Sequence, residues 1–258
     1  MNLFSFIKST DSDSMKPLLK DLTLTILYDN YYHGNDLETD WGFSCLIEGL
    51  DKTVLFDTGG KGKLLLENMK KMDKDPKDVD ILILSHNHGD HTGGMKMFLE
   101  KNNEIVAYVP QSFPDDFHNS VEKSGATLKK VTGPLKIIEN LYTTGEMGSS
   151  IIEQSIVITT PKGNMVITGC AHPGIDKIVD KARDIAGDDV LIAMGGFHLL
   201  RTGKSEVESI INKFKEEGVN YTAPTHCSGD KTIEAFESKY GDHFIKLGVG
   251  KVIKLSDL

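Results

Sequence analysis

The feature that most constrains this chain is a short apolar run that ends in a cluster of metal-ligating side chains. Ile81-Leu-Ile-Leu84 consists of strand formers, and His86, His88, Asp90 and His91 follow it closely. Such a run predicts a buried strand that carries these side chains at its carboxyl end. Imidazole and carboxylate groups are ligands that zinc, manganese and iron accept. Since the first two histidines point one way in an extended segment while the Asp-His pair reaches a second point, one loop is able to serve two cations.

The spacing of these ligands resembles a known signature. His86-x-His88-x-Asp90-His91 is similar to the metal-binding motif of the metallo-β-lactamase superfamily, and Phe56-Asp57-Thr58-Gly59-Gly60 stands about one strand and one helix upstream of it. The resemblance implies a single α/β domain with the four-layer αββα sandwich of that superfamily and a metal centre on one edge. We expect residues 21–258 to form this domain and residues 1–20 to be an N-terminal extension.

Asp57 ends the second strand of a predicted hairpin and should lie at the same sheet edge as the histidine cluster. A carboxylate at that place either binds a cation directly or accepts the N–H of a ligand histidine, which fixes the tautomer of that ring. We favour the second role. Capping of the helix that starts near Lys61 is an alternative that does not exclude it.

Composition narrows the classes of partner. The 258 residues carry a formal charge of -9, and a face that binds nucleic-acid phosphates needs a basic excess, so nucleic acid is not expected as the main partner. No apolar run approaches the ~20 residues that a membrane helix requires. The chain has three cysteines, Cys45, Cys170 and Cys227, and this small, odd number does not indicate a disulfide framework. These features predict a cytoplasmic protein and leave the oligomeric state open, and the resemblance implies that it acts on a small molecule.

Three later histidines follow apolar runs as the first cluster does. His172 lies in Gly169-Cys170-Ala171-His172-Pro173-Gly174, His198 ends Gly195-Gly196-Phe197-His198, and His226 begins His226-Cys227-Ser228-Gly229. In a layered α/β fold the carboxyl ends of the parallel strands lie along one edge. We therefore expect these histidines to converge on the first cluster despite their distance in sequence.

The resemblance also implies a ligand scheme. In that superfamily one cation takes the first two histidines and a later histidine, and the other takes the Asp-His pair and a histidine near the end, a position that His226 fits. Cys170 stands where a bridging aspartate is usual, and Glu146 stands near the place of the missing later histidine. We favour His172 as the replacement and keep Cys170 and Glu146 open. The expected metal ligands are His86, His88, Asp90, His91, His172 and His226.

The later motifs resemble one branch of the superfamily, which includes the dihydropterin-aminobenzene ribotide synthases and proteins described only as metal-dependent hydrolases. The resemblance implies one or two divalent cations, with zinc favoured and manganese, iron or magnesium as alternatives. Hydrolysis of an ester or phosphoester by metal-activated water is the preferred reaction. A transferase that joins a dihydropterin methyl diphosphate to a ribosylaniline phosphate is the first alternative, and a non-catalytic metal-binding protein is the second.

The expected substrate is a small molecule that carries phosphate. Asp90 and His198 are the expected catalytic residues, His198 through substrate contact or proton transfer near the cations. Two further expectations concern the fold. Residues 22–28 alternate apolar and hydroxyl side chains, which predicts a half-buried strand. His118 has no companion ligand in the sequence and is expected to be peripheral.

Overall fold

Two β-sheets form the centre of the computed structural model, which describes residues 19, 21–34, 36–187 and 189–258. The expected N-terminal extension, residues 1–20, falls outside the described residues except for Leu19, so its boundary with the domain remains a prediction. The strands of the first sheet are β1 (Thr23–Asp29), β2 (Phe43–Glu48), β3 (Val54–Phe56), β4 (Ile81–Ile83), β5 (Val106–Pro110), β6 (Thr127–Val131) and β13 (Val252–Lys254). Those of the second sheet are β7 (Leu135–Ile138), β8 (Leu141–Thr143), β9 (Ile156–Thr160), β10 (Gly163–Thr168), β11 (Val190–Gly196) and β12 (Tyr221–Thr225).

The strand order places several carboxyl ends along one edge of the molecule. Within the described residues the first sheet runs β13-β1-β2-β3-β4-β5-β6 and the second runs β12-β11-β10-β9-β8-β7. Strands β3 to β6 are parallel to one another, and so are β10, β11 and β12. Parallel neighbours need a crossover connection. The loops that follow β3, β4, β10, β11 and β12 therefore emerge on the same side.

Helices cover the outer face of each sheet. Those of the first half are α1 (Gly62–Lys71), α2 (Gly89–Thr92), α3 (Met95–Leu99) and α4 (Asp115–Lys123). Those of the second half are α5 (Ile175–Ala186), α6 (Lys204–Glu216) and α7 (Asp230–Tyr240). In α5 the buried residues are Ile175, Ile178, Val179 and Ala182, the spacing of one apolar helix face. No described helix combines the length and apolar character needed to cross a membrane.

Three apolar cores hold these layers together. The core between the sheets includes Ile26 and Phe56 from the first sheet and Ile158 from the second. A second core lies under α1, α3 and α4, and a third lies under α5, α6 and α7. Alternate side chains of a strand point to opposite faces, so each sheet is apolar on both sides. This arrangement confirms the four-layer αββα sandwich.

Strand β1 is buried on both faces, so the expectation of a half-buried strand is wrong. Leu24 and Ile26 enter the core between the sheets, whereas Leu27 joins the core under α1. Even Thr25 is only 1% exposed. The hydroxyl positions do not mark a solvent-facing side because α1 packs over the strand, which also has a neighbour on each edge, β2 and β13.

His118 is buried, and its partner is a backbone carbonyl group rather than another candidate ligand. Its side chain is 2% exposed on α4, and its Nε2 lies 3.0 Å from the carbonyl oxygen of Pro110. This contact ties the first turn of α4 to the end of β5. Among the described residues, His118 belongs to no group of candidate metal ligands.

Candidate metal centre

The loops at the shared edge bring together side chains that are far apart in sequence. Within the described part of the chain, three groups of potential ligands form there, two of which share Cys170, and the ligand atoms of each group lie within 4.8 Å of one another. We call them the imidazole group (His86, His88 and His172), the mixed group (Asp90, His91, Cys170 and His226) and the thiol group (Cys170, His198 and Cys227). All six expected ligands lie in the first two groups.

The imidazole group joins one loop of the first sheet to one loop of the second. His86 Nε2 and His88 Nδ1 lie 3.1 Å apart just after β4. The ring centroid of His172 lies 4.6 Å from that of His86 and 5.0 Å from that of His88. Three imidazoles are a set that holds zinc with a fourth position open for water or substrate. The group itself contains no carboxylate.

The mixed group combines hard and soft donors. His91 Nε2 lies 3.3 Å from His226 Nε2, 3.2 Å from Cys170 Sγ and 3.6 Å from Asp90 Oδ2. Asp90 Oδ2 is also 3.3 Å from His226 Nε2. Zinc accepts carboxylate, imidazole and thiolate ligands alike. The mixed group adjoins the imidazole group, since the ring centroids of His86 and His91 are 4.2 Å apart.

The ring nitrogens that point away from these groups are held by oxygen atoms. The Nδ1 contacts are His91 to Asp57 (2.7 Å), His86 to Ser85 (2.9 Å), His172 to Glu153 (2.8 Å) and His226 to Asn30 (2.8 Å). An oxygen acceptor at Nδ1 fixes the tautomer and leaves the Nε2 lone pair free to face the centre. The residues present therefore fit a pair of divalent cations.

Asp57 lies where the sequence places a carboxylate. It is fully buried, its Oδ1 accepts the backbone N–H of Ser85 at 2.7 Å, and its Oδ2 accepts the Ser85 hydroxyl at 2.7 Å. Its side chain faces His91 and does not cap α1, which begins without a side-chain cap. A Cβ on Gly169 would lie only 2.2 Å from Ser85 Oγ, so glycine is what lets the second sheet approach this cluster.

Glu153 is a supporting residue that the sequence analysis did not identify. It is 1% exposed, and its carboxylate accepts the backbone N–H groups of Cys170, Ala171 and His172 at 2.8, 2.9 and 2.9 Å in addition to its contact with the His172 ring. One buried carboxylate thus shapes the loop that carries ligands to both groups. Its only signal in the sequence is a single acid in the otherwise uncharged segment 151–160.

Two residues beside His226 were also not expected at the site. Asn30 follows β1, and its Nδ2 lies 3.5 Å from the carbonyl oxygen of His226, in addition to the contact with the ring. The indole of Trp41 has its ring centroid 4.7 Å from that of His226, and the residue is 46% exposed. The sequence gives a weak indication that Asn30 lies at the site, because this residue follows a strand that runs to this edge. Trp41 forms part of the rim.

The electrostatics of the centre keep its inner histidines neutral. Burial lowers the pKa of His86 to about 3 and that of His91 to about 4, and neighbouring imidazoles add to both shifts. Burial also raises the pKa of Asp57 to about 7, although nearby His86 opposes it. Burial acts to raise the pKa of Asp90 too, but the hydrogen bond with His226, together with the positive charge that His91 and His226 carry when protonated, holds this pKa well below its usual range. Neutral imidazoles and an ionised rim carboxylate are the states that bind cations.

The backbone is strained where these loops turn. Four site residues have positive φ angles: Asp57 (59°), Ala171 (61°), His198 (55°) and His226 (51°). They make up four of the seven non-glycine residues with positive φ in the described part of the chain. Such conformations cost of order 1–3 kcal/mol each and persist where the surrounding contacts impose them. Strain of this kind is concentrated at functional sites.

Two residues considered from sequence lie outside the imidazole and mixed groups, Glu146 away from the centre and His198 at its exposed rim. Glu146 belongs to none of the three groups found in the described residues, and its Oε1 accepts the backbone N–H of Ser112 at 2.6 Å. His198 is exposed, with its ring centroid 4.3 Å from that of His172. Of the three replacements weighed for the missing ligands, the structure brings His172 and Cys170 to the centre and leaves Glu146 outside.

Known proteins share both the sequence and the fold. The family model described as the metallo-beta-lactamase superfamily matches residues 42–226. The 7,8-dihydropterin-6-methyl-4-(beta-D-ribofuranosyl)-aminobenzene-5'-phosphate synthase of Methanocaldococcus jannaschii is 30% identical over 83% of this chain and 89% of that protein.

Solved structures agree with this match. A metal-dependent hydrolase of the beta-lactamase superfamily has a TM-score of 0.78 and 26% identity, and the alignment covers 92% of this chain and 100% of that one. The metallo-beta-lactamase fold protein YhfI from Bacillus subtilis has a TM-score of 0.67 and 14% identity, with coverage of 91% and 99%. At that identity the second likeness concerns the fold alone.

Proposed function

The chain belongs to the metallo-beta-lactamase superfamily, and we propose that it is a metal-dependent enzyme with two adjoining cation positions, the imidazole group and the mixed group. The observation that carries the proposal is that four ligand histidines have Nδ1 held by an oxygen atom, so that Nε2 faces the centre. A divalent cation supplies Lewis acidity and makes water a nucleophile at neutral pH. Zinc suits the combination of imidazole, carboxylate and thiol donors.

Hydrolysis of an ester or phosphoester is the reaction that we propose first. The side chain of Asp90 is 22% exposed, and its lowered pKa keeps it ionised, so it accepts a hydrogen bond from an attacking water and orients it. His198 lies at the exposed rim beside His172, where its ring contacts the substrate or carries a proton to the leaving group. A phosphorylated small molecule suits this edge, because two adjoining cation positions attract an anion.

A second candidate function is supported by the likeness to the synthase of Methanocaldococcus jannaschii. In a condensation of that kind an aromatic amine or ring replaces water as the nucleophile, and a diphosphate leaves from the pterin methylene. The same edge would hold the leaving diphosphate. The exposed face of Trp41 would meet an aromatic substrate, for which stacking is favourable.

Metal analysis followed by activity assays tests both candidates. We expect the imidazole and mixed groups to hold one cation each after purification without chelators or affinity metals, and His172→Ala to remove one of these two. Chelation should abolish turnover, and zinc, manganese or iron should restore it. Phosphomonoesters, phosphodiesters and carboxylic esters test hydrolysis, and a dihydropterin diphosphate with a ribosylaniline phosphate tests the transferase. Metal binding without turnover on either panel would instead indicate a non-catalytic metal-binding protein and would overturn the enzyme proposal.

A further inference from the structure

The thiol group shares Cys170 with the mixed group, but His198 and Cys227 have no metal-binding part in the reaction proposed above. Cys170 Sγ, a ring nitrogen of His198 and Cys227 Sγ lie within 4.8 Å of one another. The two cysteines are 3% and 5% exposed, whereas His198 faces solvent. Cys45, in β2, is buried in the core between the sheets and belongs to no ligand group found in the described residues. Two of the three thiols of the chain therefore meet at the metal edge together with an imidazole.

The backbone around the thiol group is arranged before any ligand binds. A Cβ on Gly196, at the end of β11, would lie 2.7 Å from Cys227 Sγ, so the sulfur occupies space that only glycine leaves open. The backbone N–H of Leu200 donates to the carbonyl oxygen of Cys227 at 3.2 Å. The backbone N–H of Phe197 donates to Ser228 Oγ at 3.0 Å. These contacts fix the loop after β11 against the loop after β12.

Packing alone explains two buried thiols, since a free cysteine is commonly buried as a small apolar side chain. Packing does not explain His198. An exposed imidazole is free to turn toward water, yet a nitrogen of this ring lies within 4.8 Å of both sulfur atoms. Its backbone also holds a φ of 55°, a region that side chains other than glycine seldom adopt. The fold therefore holds an exposed ring against a buried sulfur.

We propose that Cys170, His198 and Cys227 form a third cation position, selective for thiophilic divalent cations such as zinc and cadmium. Two thiolates and one imidazole make the Cys2His set that binds zinc with one position open. Sulfur ligands are poorly suited to magnesium and manganese. The exposed side of His198 gives a cation access from solvent. Cys170 is shared with the mixed group, and since a thiolate sulfur has lone pairs for two cations, it connects the second and third positions.

A filled third position changes the role of His198. An imidazole nitrogen that binds a cation has no lone pair left to accept a proton, so ligation through that atom excludes its use in proton transfer. Ligation of a cation by His198 is not part of the function proposed above, and it excludes the proton transfer proposed there for the same ring. The two roles of His198 predict different effects of the same substitution.

Cadmium titration of the full chain tests the third position. The readouts are cadmium retained after gel filtration and the ultraviolet absorbance of thiolate-to-cadmium charge transfer. We expect three equivalents in the wild type, one for each group. His198→Ala and Cys227→Ser should each lose one equivalent, and Cys227→Ser should lose most of the absorbance. Cys45→Ala is the matched control and should behave as the wild type. Manganese should fill no more than the imidazole and mixed groups.

Unchanged cadmium stoichiometry in both variants overturns the proposal. Because His198 is exposed, His198→Ala should keep the fold, and thermal unfolding verifies this. A His198→Ala protein that retains three cadmium ions but turns substrate over slowly assigns the ring to proton transfer and also overturns the third position. His88→Ala separates the two proposals, since it should lose a cation from the imidazole group and keep the thiolate absorbance. If no substrate is turned over while both thiol-group variants lose one equivalent, the third position stands and the enzyme proposal fails.

Discussion

The imidazole group and the mixed group lie side by side but are built from different chemistry. His86, His88 and His172 offer only ring nitrogens, whereas the mixed group adds the Asp90 carboxylate and the Cys170 thiol to its two imidazoles. Neutral ligands leave the charge of a divalent cation in place, and anionic ligands offset it. We therefore expect the imidazole group to be the better activator of water and the mixed group to be the tighter and more selective cation site.

Removal of one ring from the imidazole group should have the largest effect. His86→Ala leaves two ligands in that group, so we expect loss of one cation per chain. Loss of a residue that only supports a ligand costs up to about 100-fold in metal affinity or activity, so we expect metal-dependent turnover to fall by at least about 100-fold when a ligand itself is removed. Elemental analysis and steady-state rates measure these changes. His243→Ala is the matched control, since His243 is exposed and stacks on Tyr221 with ring centroids 4.8 Å apart. Equal loss of cations from both groups would contradict their independence.

Substitution of Glu153 should have the next largest effect. Glu153→Gln removes the charge that accepts three backbone N–H groups and the His172 ring. Loss of such a supporting partner typically costs 10–100-fold in metal affinity, so we expect about that loss at the imidazole group. Competition with a chromophoric chelator measures the affinity. Because Glu153 also accepts the backbone N–H of Cys170, thermal unfolding rather than the mixed group serves as the control for folding. An unchanged affinity at the imidazole group would show that His172 does not depend on Glu153.

The imidazole group and the mixed group should differ in how their cation affinity depends on pH, because only the mixed group must release a thiol proton. Burial lowers the pKa of His86 to about 3 and also lowers that of His88, so a cation displaces no proton from these rings at neutral pH. Burial and the adjacent Cys227 raise the pKa of the Cys170 thiol, so a cation in the mixed group must displace its proton. Cation affinity of the mixed group should therefore rise about tenfold per pH unit toward the thiol pKa, while that of the imidazole group stays nearly constant.

Calorimetric titrations in buffers with different enthalpies of ionisation measure this proton release. Cys170→Ser is the control and should abolish the thiol contribution. A pH-independent affinity at the mixed group of the wild type would show that the thiol is already ionised or is not a ligand.

Substitution of Glu146 should have the smallest effect. Glu146→Gln keeps an oxygen that accepts the Ser112 N–H and touches neither group, so metal content and turnover should not change. The free energy of unfolding should fall by less than about 1 kcal/mol, the net value of a typical hydrogen bond. Chemical denaturation and elemental analysis measure both quantities. Loss of a cation would return Glu146 to the list of ligands and remove His172 or Cys170 from it.

Residues that lie close together in the sequence were the easiest part of the site to predict. Residues 86–91 share one strand end, so their spacing alone indicates a metal site and the superfamily whose fold the structure confirms. His172, His198 and His226 are scattered, but each follows an apolar strand, and the rule that parallel carboxyl ends share an edge predicts their convergence.

Asp57 was predicted as a supporting residue because it ends a strand beside the histidine cluster, whereas Glu153 and Asn30 could not be predicted because their contacts depend on how distant segments pack. Glu153 is 19 residues from His172, and Asn30 is 196 residues from His226. Neither belongs to a motif. Glu153 meets His172 through the pairing of β9 with β10 in the second sheet, and Asn30 meets His226 only when the two sheets pack face to face. Burial of β1 was missed for a related reason, since local alternation carries no information about the helix that later covers the strand.

The position of Trp41 gives the protein an optical reporter of its own. It is the single tryptophan of the chain, so all indole emission comes from one place. That place is 4.7 Å from the His226 ring, between centroids. A charge that arrives on that imidazole, as a proton or a cation, changes the field felt by the excited indole. Intrinsic fluorescence therefore follows events at the mixed group without a dye, a label or an introduced residue.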